Sequence, residues 1–84
     1  MPIDKGILVT WIRDALQTHG GKADIPSVAK HIWQHHEDEL RAAGDLFYTW
    51  QYDMRWAAQE MRDQGICRPA SETARGAWEL ALAN

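Results

Sequence analysis

Cysteine is almost missing from this 84-residue chain: Cys67 stands alone. That excludes an intrachain disulfide and fits a reducing compartment. No uninterrupted apolar run approaches membrane-spanning length. The start, "MPIDKGILVTWIRDALQTHGG", has neither the basic n-region nor the long apolar stretch of a secretion signal. A cytoplasmic protein with no membrane partner is expected. A basic excess is missing as well, the formal net charge being −3. Any nucleic acid held by electrostatics would need the positive charge gathered on one face. Phosphate-binding glycine loops, a nucleophile elbow and a Cys/His pair are also absent. The expectation is no enzyme, no cofactor and no small-molecule substrate.

What the chain does have is tryptophan. Five in 84 residues supply large anchors for a core with few residues. The length is that of one domain, 1–84, with a single small core. No low-complexity segment, internal repeat or long linker divides it.

Periodicity then sets the elements. From Asp4 to His19, Ile7, Leu8, Trp11, Ile12, Ala15 and Leu16 form a stripe at helical spacing, with Asp4 as the expected cap and Gly20-Gly21 as the stop. Residues 22–25 alternate as a very short strand. Pro26 suits the first turn of a second helix over 26–43, with Val28, Ala29, Ile32, Trp33, His36, Leu40 and Ala43 along one side. Its poorly apolar second half, "HHEDELRAAG", is expected to fray or break. A third helix over 46–64 clusters Phe47, Trp50, Met54, Ala57, Ala58 and Met61 on its inner face and ends at Gly65. Beyond it, 66–69 and 77–82 read as strands around the polar tip "SETARG", a β-hairpin. Helix, short strand, helix, helix, hairpin is the order of a winged helix-turn-helix. The fold class expected is therefore α+β: three helices and a small antiparallel sheet with a C-terminal hairpin wing.

The outer face of the third helix carries the functional signal. Tyr48, Tyr52, Arg55, Gln59 and Arg62 fall within about 80° of arc on an ideal helix, and no acidic residue interrupts the strip. Tyr, Arg and Gln donate to phosphates, and Arg or Gln can meet base edges in a major groove. The wing adds Arg68 and Arg75. Against this, any exposed helix face carries such residues, and over 48–65 the two arginines are outnumbered by Asp53, Glu60 and Asp63. Trp56 projects off the centre of the core stripe and is expected to pack at the core edge against the wing.

The stretch "RWAAQEMRDQGI", followed after the polar tip by "RGAWEL", resembles the N-terminal domain of Mrr-type restriction endonucleases, a winged helix found ahead of a nuclease domain. The upstream "GGKADIPSVAKHIW" is similar to that family's first strand and second helix. The likeness runs roughly from Ile7 to Leu82 and is moderately specific, since tryptophan and glycine placements like these also reflect the winged-helix core. It implies double-stranded DNA binding by the third helix and wing, carried on Tyr52, Arg55, Gln59, Arg68 and Arg75. No nuclease domain follows within the 84 residues, so cleavage is not expected.

Two other clusters read more plainly. His31 and His35 stand one helical turn apart, with Glu39 a turn further on, but a metal site needs ligands from elsewhere; surface histidines are the better account, and no metal is expected. Glu37, Asp38 and Glu39 point to different sides of a helix and cannot converge on one substrate. The sequence thus leads to a non-enzymatic DNA-binding protein, a small regulator or a subunit of a larger assembly. Arg55 and Gln59 would lie nearest the bases, with Tyr48, Tyr52, Arg62, Arg68 and Arg75 on phosphates. The alternative is a homodimer or protein-docking module using the tryptophans and the acidic end of the second helix.

Overall fold

The computed structural model describes residues 4–81. It contains α1 (Ile7–Thr18), β1 (Lys22–Asp24), α2 (Ile25–Arg41), α3 (Leu46–Asp63), a short 3-10 turn at Ala70–Glu72 and β2 (Ala77–Glu79). Each helix packs on the other two. The α+β class holds: three helices and a two-stranded antiparallel sheet.

α1 is shorter than its stripe suggests. Asp4 does not cap it; the N-cap is Gly6, and Asp4 Oδ1 instead accepts the Gly6 N–H at 2.9 Å in the preceding turn. Leu8, Trp11, Ile12, Ala15 and Leu16 are buried as the spacing requires. The helix ends in a glycine-dependent motif: Gly20 N donates to Gln17 O at 3.2 Å and Gly21 N to Leu16 O at 2.6 Å. α3 closes the same way, with Gly65 at φ +77° and Ile66 N donating to Met61 O at 2.8 Å. Only a residue free to adopt positive φ turns the chain out so tightly.

α2 begins one residue before Pro26, and its N-cap is Asp24, whose carboxylate accepts the Ser27 N–H at 2.8 Å. That bond satisfies an amide the first helical turn leaves without a partner; the Ser27 side chain first, and this amide second, hold the Asp24 carboxyl below its usual range. The weak second half bends instead of fraying. His36 leaves helical geometry at φ −132°, ψ 21°. There its ring stacks on Trp11 with centroids 4.0 Å apart, while Nδ1 lies 2.7 Å from Glu39 Oε1. Past the bend, Leu40 still enters the core.

On α3, Trp50, Met54, Ala57, Ala58 and Met61 are buried. Leu46, not Phe47, starts the inner stripe; Phe47 is half-buried at the edge, 6.4 Å from Trp33. Among the described residues, no polar or charged side chain is buried in the core.

The sheet differs most from expectation. β2 pairs with β1 in the register Lys22↔Glu79, Ala23↔Trp78, Asp24↔Ala77. The expected strand 66–69 shrinks to one bridge, Cys67↔Leu80, flanked by Arg68 N to Glu79 O and Ala81 N to Ile66 O, both 2.8 Å. Pro69 has no N–H to continue a ladder, and the chain turns at once into the 3-10 segment, fastened by Thr73 Oγ1 donating to Pro69 O at 3.0 Å. Leu82, expected near the end of the last strand, lies outside the described residues. Among the described residues no helix is long and apolar enough to cross a membrane.

Candidate nucleic-acid interface

The inner face of α3 is fixed by Trp50, Met54, Ala57, Ala58 and Met61, which forces the adjacent strip outward. Arg55, Gln59 and Arg62 then rise one turn apart and face the segment Ala70–Trp78 across a cleft of about 620 Å³. Arg75 lines the opposite wall, and Ile25 and Trp78 add apolar surface between. Among the described residues, no carboxylate lines this cleft. Three guanidinium groups are thus gathered around one concavity on a chain of net charge −3, and a focused positive charge is what an acidic protein needs to hold an anionic polymer.

The seven candidate residues do not all meet there. Arg55, Gln59, Arg62 and Arg75 share the cleft. Tyr52 lines an adjoining one of about 550 Å³ together with Arg55. Tyr48 stands further along the helix, edge-on to Phe47 at 5.0 Å. Arg68 is turned to carboxylates, its Nη2 3.5 Å from Glu72 and its Nη1 4.0 Å from Glu79, so its charge is partly compensated before any ligand arrives. The strip is also less free of acid than its spacing implies. Asp63, one turn on, accepts a hydrogen bond from Gln59 Nε2 at 3.0 Å. That bond orients the amide and leaves its carbonyl oxygen as the free acceptor.

Arg62 is half-buried, and its Nε has no hydrogen-bond partner. Beside it, burial pushes the Cys67 thiol up from its ordinary value, with Arg62 and Arg13 pulling weakly the other way. Trp56 packs half-buried on the core, with Lys5 Nζ 4.4 Å above its ring.

Away from the cleft, His31 stacks on His35 at 4.1 Å and lies 5.9 Å from His19. Burial first, then the charges of His35, His19 and His36, depress His31 against a weaker pull from Asp14. Among the described residues, no group of three or more His, Cys, Asp and Glu is arranged to hold a metal. A third feature is aromatic. Trp33 lies parallel to Trp50 at 6.2 Å, and the Arg41 guanidinium sits 5.3 Å over Trp33 and 5.9 Å over Phe47.

Sequence reasoning missed Ile25, Gln51, Thr73 and Ala74 as cleft residues. Gln51 stands on α3 itself, one residue before Tyr52; no local signal marks the other three, which become neighbours of α3 only through its packing on α2 and the course of the tip. Comparison with known proteins adds no relative: no family model, curated protein or solved structure matches the chain significantly.

Proposed function

We propose that this protein is a non-enzymatic, cytoplasmic, double-stranded DNA-binding protein of the winged-helix type, similar in plan to the N-terminal domain of Mrr-type restriction endonucleases. The observation that carries the proposal is the cleft with Arg55, Gln59 and Arg62 on one side and Arg75 on the other, lined by no carboxylate among the described residues. In this mode α3 enters the major groove, Arg55 and the oriented Gln59 face base edges, and Arg62 and Arg75 bracket the backbone. The tip Ala70–Gly76 takes the place of the wing. Arg68, already engaged by Glu72 and Glu79, contributes less than Arg75.

Titration into a labelled random duplex at low and then rising salt tests this. Three free guanidinium groups predict a log K against log[salt] slope of roughly −2 to −3. Arg55→Ala and Arg75→Ala should each weaken binding and flatten the slope by about one unit, with Arg68→Ala milder. No binding at low salt and high protein concentration would sink the nonspecific duplex interaction.

One observation favours a second reading, a protein-docking module: the cleft of about 410 Å³ at Trp33, Phe47 and Trp50. If duplex binding fails and Trp33→Ala abolishes concentration-dependent self-association in sedimentation, that reading takes precedence.

A further inference from the structure

The cleft holding Tyr52 adjoins the arginine cleft, Ile25 and Arg55 lining both. Their chemistry differs. One side of the shared wall presents Arg55, Arg62 and Arg75. The other has a single arginine, Arg55, with Ile25, Pro26, Ala29 and Met54 as its apolar members and Gln51 and the exposed Tyr52 also lining it. Tyr48 and Tyr52 are the exposed large hydrophobic residues among those described, at 82% and 79%. A ring left that bare on a helix is a ready stacking face, and every nucleobase has one to match. An amide beside it offers both a donor and an acceptor to a base edge.

From this juxtaposition we propose that the two clefts together seat an unpaired nucleotide, its base against Tyr52 over the apolar wall and its phosphate among Arg55, Arg62 and Arg75. A base inside a duplex has its faces covered by its neighbours and must leave the stack to reach such a seat. The site therefore favours single-stranded or locally opened nucleic acid over intact duplex. The positive cleft answers the phosphate charge, and the apolar one answers the base. This rests on the nucleic-acid reading above and changes two parts in it: Tyr52 goes from phosphate donor to stacking platform, and Arg55 from base edge to phosphate.

Those two roles separate by substitution. Anisotropy titrations at low salt would compare a short labelled oligodeoxyuridine, an oligouridine of equal length and a random duplex, using the wild type, Tyr52→Ala and Tyr52→Phe. Tyr52 is so exposed that both variants should keep the fold, which circular dichroism verifies. The expected result is tighter binding of a single strand than of duplex. Tyr52→Ala should weaken it by roughly fivefold to 150-fold, with little change for duplex, and Tyr52→Phe should leave it intact. The better of the two strands tells whether the sugar is deoxyribose or ribose. Equal losses in Tyr52→Ala and Tyr52→Phe would overturn the stacking role, as would duplex binding at least as tightly as either strand; duplex binding through Arg55 and Arg75 would survive both. Failure of all three probes to bind would overturn both proposals.

Discussion

Arg55, Arg68 and Arg75 show how little a residue type says until its neighbours are known. Arg55 and Arg75 face a cleft that no carboxylate lines among the described residues, whereas Arg68 lies between Glu72 and Glu79. Exposed pairs of the latter kind add little stability, but they compete with an incoming phosphate. Cys67 is the other instructive residue. Being 2% exposed and held protonated by burial, its thiol lacks both access and thiolate character. It should resist a neutral-pH thiol reagent in the native protein and react once urea unfolds the chain. Mass spectrometry of the modified protein gives the ratio, and rapid native labelling would contradict the burial.

Among the elements, α2 is built from two unlike halves. Its first turn is fastened by Asp24 on Ser27, and its middle carries His31, stacked on His35 and close to His19. His31 has a depressed folded value, so the native state binds its proton less readily than the unfolded chain does. Stability is then fully present above the ordinary histidine value of 6.5 and falls as pH drops through the lower folded value. Asp24 is depressed as well, from 3.8, so its contribution is present above that value and lost at still more acid pH. The Asp24 window opens at a lower pH than the His31 window. The urea midpoint should fall between pH 7.5 and pH 5, and His31→Gln should flatten that fall. A midpoint equally pH-sensitive in the variant would assign the effect to other groups. The groups facing His31 are His19, His35, His36 and Asp14, and of these only Asp14 favours its protonation.

At the scale of the whole molecule, one core does all the holding. Leu8, Ile12 and Leu16 of α1, Val28 and Ile32 of α2, and Met54 and Met61 of α3 are fully buried or nearly so, each worth about 1.5–3 kcal/mol in transfer alone. A domain this small keeps only about 5–15 kcal/mol in hand. Ile12→Ala should therefore cost about 2–5 kcal/mol, a large share of the total, when followed in urea by tryptophan fluorescence. Arg75→Ala at an exposed position should stay within about 0.5 kcal/mol, which lets a binding defect in that variant be separated from misfolding. A loss below 1 kcal/mol for Ile12→Ala would mean that α1 is not the central helix its packing on α2 and α3 makes it.

Much of this was legible in the chain itself. The apolar spacing of Leu8, Trp11, Ile12, Ala15 and Leu16, or of Trp50, Met54, Ala57 and Met61, sets a helix and its buried face through a local 3.6-residue geometry, and Gly65 marks an end because only backbone freedom permits that exit. The positions of Tyr48, Tyr52, Arg55, Gln59 and Arg62 on one side of α3 follow from the same period. What the sequence could not decide depends on residues distant along the chain. Which arginine is free and which is compensated, which strand pairs with β2, where α2 bends over Trp11, and how Ile25 and Ala29 come to wall a cleft beside Tyr52 are settled by packing alone. Periodicity fixes which way a side chain points from its own axis, and only the docking of one element on another fixes what it meets there.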